Sequence, residues 1–216
     1  MNWLLDLDSL NRPLLEVLGY PLTFLELFGT LSGLLTVWLA ARANILTWPT
    51  GLVNNVAFFL LFYQVQLYSD MLLQVYFFGI SLYGWWHWKQ TRNQPGRAIS
   101  VLRRGVRMGL ALVSILGVLL LGTAMSHIHR WLPALFPEPA AFPYADAFTT
   151  VLSVLATVVM ARKKIECWWL WMAVDVVSIV LYLQRGIYLI ALEYVVFLLI
   201  CLFGLLQWHR LYAVAK

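Results

Sequence analysis

Apolar residues gather along this chain into seven stretches, roughly 22–41, 46–63, 70–88, 108–126, 144–161, 167–184 and 187–208. Each is long enough, as a helix, to cross the ~30 Å hydrocarbon core of a bilayer. The breaks between them are charged or turn-forming: Arg42-Ala43-Asn44, the stretch around Gln66, Lys89–Arg107, His127–Pro143, Arg162–Lys164 and Arg185-Gly186. Pro49 falls in the first turn of the second stretch, where a missing N–H costs little. The loop holding Pro133, Pro137, Pro139 and Pro143 reads as an external lid-like segment. Residues 1–20 carry Asp6, Asp8, Arg12 and Glu16 without a long apolar core, which predicts a short amphipathic or interfacial segment and no cleaved signal peptide.

Composition sharpens this picture. The chain is 62% hydrophobic and only 12% charged, about half the charge of a soluble domain. That much apolar surface has to be covered by lipid. The net charge of +5 does not point to nucleic acid, because the basic residues lie in short loops and there set orientation. With seven spans, twelve of the fifteen Lys and Arg fall on one side, and Arg12, Arg130 and Arg185 on the other. The twelve belong in the cytoplasm, so the N-terminus is expected outside and the C-terminus inside. Cys167 and Cys201 lie in apolar surroundings and read as buried free thiols.

Sliding the chain on itself by 120 positions uncovers a repeat. Ala41-Arg42 lands on Ala161-Arg162, Trp48 on Trp168, Gln64 on Gln184, Tyr68 on Tyr188, Gly84 on Gly204 and Trp88 on Trp208, without a gap over about 48 residues. Further up, Glu26 lands on Asp146. Spans 1–3 therefore repeat as spans 5–7. One linker span between them makes both copies enter the membrane in the same direction, as in the SWEET sugar transporters. The expectation is an all-α polytopic membrane protein of seven helices, two parallel three-helix repeats around a linker helix (3+1+3). Its parts are an interfacial segment over 1–20, repeats over 21–88 and 143–208, a basic loop, linker helix and external loop over 89–142, and a cytoplasmic tail over 209–216.

Polar residues inside a span are costly and mark a pathway. Trp168, Trp171, Asp175 and Tyr182 share one face of span 6 by their spacing, and the matching face of span 2 carries Trp48, Gly51, Asn55 and Phe62. Asn55 thus corresponds to Asp175, and Gly51 leaves room opposite Trp171. In span 3, Asp70 and Gln74 are one turn apart; span 7 has Ile190 and Tyr194 there, with Glu193 beside them. Aromatic rings, one carboxylate and amides suit a flat cationic ring bearing hydroxyls. The plainer reading of Trp48, Trp88, Trp168 and Trp208, all near span ends, is interfacial anchoring. Glu26 and Asp70 equally suit helix N-termini, Tyr68 and Tyr188 suit turn closure, and Gly84 and Gly204 suit close helix packing.

Two signatures now carry a family resemblance. Leu67-Tyr68-Ser69-Asp70-Met71-Leu72-Leu73-Gln74 with Tyr83-Gly84-Trp85-Trp86-His87-Trp88, and Trp168-Trp169-Leu170-Trp171-Met172-Ala173-Val174-Asp175 with Gly186-Ile187-Tyr188-Leu189, resemble those of the PnuC family of vitamin transporters. The resemblance spans roughly 22–208. It implies facilitated diffusion of nicotinamide riboside across the bacterial inner membrane without a cofactor or metal, in a homo-oligomer, a trimer being one form. It carries over Gln74, Trp171 and Asp175 as binding residues, and the whole candidate set is Asn55, Asp70, Gln74, Trp171, Asp175, Tyr182, Tyr188 and Tyr194. Another vitamin such as thiamine, also cationic and aromatic, and a receptor or assembly subunit remain alternatives. An intramembrane enzyme is disfavoured: His87, His127, His129 and His209 sit at span ends, with no metalloprotease or nucleophile motif.

Overall fold

Thr23 opens the first helix as a reciprocal cap. Its hydroxyl accepts the Glu26 N–H at 3.2 Å, and Glu26 Oε2 accepts the Thr23 N–H at 2.9 Å, which satisfies two amides that a helix start leaves unpaired. In the computed structural model, described residues are 13–17, 20–64, 68–91, 99–132 and 139–214, with side chains for all of these except 13–17, 20, 21, 64 and 68–70. Among them are seven long helices: α1 Phe24–Ala41, α2 Thr47–Gln64, α3 Tyr68–Thr91, α4 Arg104–Trp131, α5 Pro143–Ala161, α6 Cys167–Gln184 and α7 Tyr188–Val214. A short antiparallel hairpin, β1 Pro13–Val17 and β2 Tyr20–Thr23, precedes them; it begins in the 1–20 stretch expected to be interfacial and ends in the segment expected to open the first repeat. Pro133 and Pro137 of the expected lid lie outside the described residues.

Five helices, α1, α4, α5, α6 and α7, are long and apolar enough to cross a membrane. The other two are diluted by their own polar residues, Pro49, Asn54 and Asn55 in α2 and Gln74, His87 and Lys89 in α3.

The turns α1–α2 and α5–α6 are the same structure 120 residues apart. Ala43 and Lys163 both adopt left-handed backbone, at φ 52° and 53°. Ala43 N donates to Ala40 O and Lys163 N to Met160 O, both at 2.8 Å; Asn44 N then donates to Leu39 O and Lys164 N to Val159 O. These are the helix-ending bonds that a left-handed residue permits.

Trp48, Trp88, Trp168 and Trp208 correct the anchoring expectation. They are 3%, 2%, 0% and 0% exposed, so none is an interfacial anchor. Trp48 and Trp88 meet edge to face at 5.4 Å, as Trp168 and Trp208 do at 5.5 Å. Glycine makes this possible: a Cβ at Gly84 would collide with the Trp48 ring, and one at Gly204 with the Trp168 ring.

Consecutive helices pack as α1·α2·α3 and α5·α6·α7, and the two groups meet along α1·α7 and α3·α5. Contacts climb α1 and α7 together, from Thr30–Glu193 through Trp38–Phe203 to Ala40–Trp208, so these helices run parallel. Tyr76–Val154 and Trp88–Ala161 do the same for α3 and α5. Helix α4 packs on α5, where Gly117 admits Val151 and Gly122 admits Tyr144. Its approach is strapped to the α5–α6 turn. Ser100 exchanges backbone bonds with Lys163 and Ile165, and Glu166 Oε1 accepts from Leu102 N and pairs with Arg107.

Candidate functional site

Asn55 lies midway along α2, 8% exposed, and its Nδ2 donates to Ser81 Oγ of α3 at 3.4 Å. At the matching place in the second half, Asp175 of α6 is 3% exposed, with the buried Cys201 of α7 near it. Asp175 Oδ2 has no hydrogen-bond partner among the described residues. A buried carboxylate in a span is expensive unless something pairs with it.

Trp171, one turn earlier on α6, is half-buried, and its indole N–H is likewise without a partner. Ser178 and Tyr182 continue the same face. Tyr182 stacks on Tyr194 of α7 at 5.5 Å and 16°, and Phe197 closes edge-on against Tyr194 at 6.0 Å. This aromatic wall reaches the first half, because a Cβ at Gly33 of α1 would lie 3.8 Å from Phe197 and 3.3 Å from Asn54 Nδ2. Asn54 in turn holds α1 through Gly29 O at 2.7 Å and Ser32 Oγ at 3.1 Å. Glu193, also half-buried, accepts from Thr30 at 3.4 Å.

Of the expected residues, Tyr182 and Tyr194 are stacked across α6 and α7, and Trp171 and Asp175 share the α6 face of Tyr182 by helical spacing. Asn55 occupies the equivalent position in the first half. Gln74 is half-buried on α3. Tyr188, 63% exposed at the first residue of α7, is not brought to the others. The Asp70 side chain lies outside the described residues. Gly51 has Thr36 and Ser81 as its near neighbours, not Trp171. Sequence reasoning missed Ser81 as the partner of Asn55 and the buried Cys201 near Asp175. The two align at the repeat offset, which is the signal that was available. It also missed Tyr76, whose hydroxyl donates to Val154 O at 3.1 Å between the halves.

A separate cavity of about 310 Å³ lies at the turn end, lined by Ala43, Asn44, Ile45, Trp88 and Lys163. Lys163 donates to Thr91 Oγ1 at 3.0 Å and sits over the Trp88 ring; burial lowers its ammonium below the usual lysine range. Among the described residues, no cluster of His, Cys, Asp or Glu could hold a metal ion.

Residues 23–210 match the family model described as nicotinamide mononucleotide transporter. The chain belongs to this family, the PnuC family. The nicotinamide riboside transporter PnuC of Escherichia coli (strain K12) is 32% identical over 207 residues, covering 88% of this chain and 87% of that one. The riboflavin/roseoflavin transporter RibM of Streptomyces davaonensis is 25% identical over 214 residues, covering 96% and 92%. The crystal structure of the vitamin B3 transporter PnuC superposes with a TM-score of 0.68 over 99% of this chain and 86% of that one, at 20% identity, and so shares its fold. PnuC-family proteins are transporters and not enzymes, and this member is a multi-pass membrane transporter.

Proposed function

We propose that this chain carries nicotinamide riboside across the bacterial inner membrane by facilitated diffusion, as a uniporter, with the ligand held near the midplane between two parallel three-helix repeats. All seven helices cross the membrane in this reading, with the N-terminus outside. The repeat reading is supported by the identical turns at Ala43 and Lys163, by the parallel runs of α1 with α7 and α3 with α5, and by the sequence offset. The SWEET-like description rests on the same features.

One observation carries the site. Asp175 is buried in mid-helix with one carboxylate oxygen unpartnered, one turn from a Trp171 indole N–H in the same condition. A pyridinium carrying an amide and a ribose supplies what both lack, a positive charge and hydrogen-bonding groups. Tyr182 and Tyr194 add ring faces, each worth about 0.5–2 kcal/mol to a cation. Asn55 and Gln74 supply amides, and Asp70 and Tyr188 are assigned to the outer approach.

The test is binding to purified protein of nicotinamide riboside, nicotinamide, its mononucleotide, thiamine and riboflavin. Nicotinamide riboside is expected to bind tightest; equal affinity for all, or none for it, overturns the reading. Riboflavin matters as a competitor because a relative of similar length is a riboflavin/roseoflavin transporter. Uptake into liposomes that collapses with the proton gradient refutes uniport. Native mass spectrometry tests the homo-oligomer, a trimer being one candidate form.

A further inference from the structure

The α1–α2 and α5–α6 turns share a backbone path, but their outer edges are treated differently. Ser100 covers the second: its N–H donates to Lys163 O, and Ile165 N donates to Ser100 O, both at 3.1 Å. At the repeat offset those two groups are Ala43 O and Ile45 N. Among the described residues neither of these has a hydrogen-bond partner. Against them lies the cavity of about 310 Å³ lined by Ala43, Asn44, Ile45, Trp88 and Lys163. We propose that this cavity is a binding site for a phosphate group, separate from the site of the transported ligand.

Lys163 supplies the charge. It reaches the cavity from the other half and donates to Thr91 Oγ1 at 3.0 Å, which leaves two of its three N–H bonds to give. No carboxylate pairs with it among the described residues, where Glu166 pairs with Arg107 and Asp146 with Arg185. Its ammonium is half-buried over the Trp88 ring, at 5.1 Å, and an anion would repay the cost of that burial. No acidic residue lines the cavity. Asn44 Oδ1 is taken by Leu46 N at 2.9 Å, so Asn44 has its amide N–H groups to offer. Ile45 N adds a backbone donor just before α2, where the helix dipole favours negative charge. In the second half a neutral carbonyl, Ser100 O, meets the matching amide; here the lysine selects an anionic oxygen instead. Ala43 O then suits a hydroxyl carried by the same ligand. Two sources have this chemistry, a free phosphomonoester and a lipid headgroup.

The alternative is that Lys163 only braces the two halves through Trp88 and Thr91. Two probes on the full-length purified protein separate the roles. Ribose 5-phosphate is titrated in a neutral detergent, with chloride holding the ionic strength constant, and the unfolding midpoint is followed, since a ligand of the folded state raises it. Phosphatidylglycerol retention, against phosphatidylcholine, is read by native mass spectrometry. Wild type is expected to respond to at least one probe, and which one names the source. Lys163→Asn keeps a residue that tolerates the left-handed backbone and is expected to weaken that response at least tenfold, a charge-assisted contact being lost. Asn44→Asp keeps the acceptor for Leu46 N, so it should fold, and is expected to weaken the response by a similar factor through repulsion. Lys164→Asn is the control: it removes the same charge one residue on, where the ammonium is held by Ser100 Oγ, and should leave the response within about twofold. A wild type that responds to neither probe overturns the proposal. So does a response that survives Asn44→Asp, or one that falls equally in Lys164→Asn, which would mark general attraction to a basic surface.

Discussion

Trp88 and Trp208 stand with ring centroids 6.0 Å apart, and each caps the first helix of the opposite half. Trp88 Nε1 donates to Ala161 O at 3.1 Å, and Trp208 Nε1 to Ala40 O at 3.0 Å. The last carbonyls of a helix have no partner within it. Here two buried indoles supply that partner and tie the two halves together where they meet.

The two caps are not equal, and this gives a graded expectation. Ala40 O also accepts from Ala43 N, whereas Trp88 is the one partner described for Ala161 O. Trp88→Phe should therefore destabilise the protein by ~1–3 kcal/mol, the cost of stranding a buried polar group, and Trp208→Phe by less. Thermal unfolding in detergent measures this. Equal midpoints for both variants and wild type would remove the caps from the stability argument.

Gly84→Ala and Gly204→Ala each drive a methyl into a buried indole. Overpacking of this kind costs ~1–3 kcal/mol. Gly79→Ala is the control, since nothing lies within 4 Å of its would-be Cβ. It should be neutral or stabilising by up to ~1 kcal/mol from helix propensity. Unfolding midpoints that do not separate the first two variants from the third would count against the proposed role of these glycines.

Asp175→Ala and Gln74→Ala are expected to weaken nicotinamide riboside binding without unfolding the protein. Asp175→Ala should cost at least tenfold, because a charge-bearing contact is lost, and Gln74→Ala several-fold. Calorimetric titration beside a circular dichroism melt checks both. Wild-type uptake in either variant takes that residue out of the site.

Glu166 accepts from Leu102 N at 2.9 Å and from Arg107 Nε at 2.8 Å. Arg107 is half-exposed, so its ion pair contributes little. The backbone bond matters more, at ~1 kcal/mol. Glu166→Gln, which keeps an acceptor oxygen, should be milder than Glu166→Ala. Faster proteolysis between α3 and α4 in Glu166→Ala than in Glu166→Gln is the expected result; the reverse order would assign the strap to charge.

Topology is open to a direct measurement. Cys167 and Cys201 are buried, so they should stay silent toward an impermeant thiol reagent. Tyr188→Cys should react from outside the cell and Asn44→Cys only after permeabilisation. The opposite pattern inverts the orientation expected from the Lys and Arg count.

Some of this was legible in the residues alone. The helices follow from runs of apolar residues, a local property. The repeat follows from rare residues matching at one offset, such as Trp48 with Trp168 and Gly84 with Gly204. The shared face of Trp171, Asp175 and Tyr182 follows from helical spacing. Other features depend on which helix lies beside which, and periodicity along one strand of sequence cannot supply that. The span-end tryptophans look alike whether they face lipid headgroups or each other, and only the seats at Gly84 and Gly204 bury them. Ser81 and Cys201 are unremarkable small residues until α3 packs on α2 and α7 on α6. Sequence by itself determined the elements and their duplication. Tertiary structure decided which polar atoms were paired and which, like Asp175 Oδ2, were left open, because hydrogen bonding inside a bundle is a property of neighbouring helices.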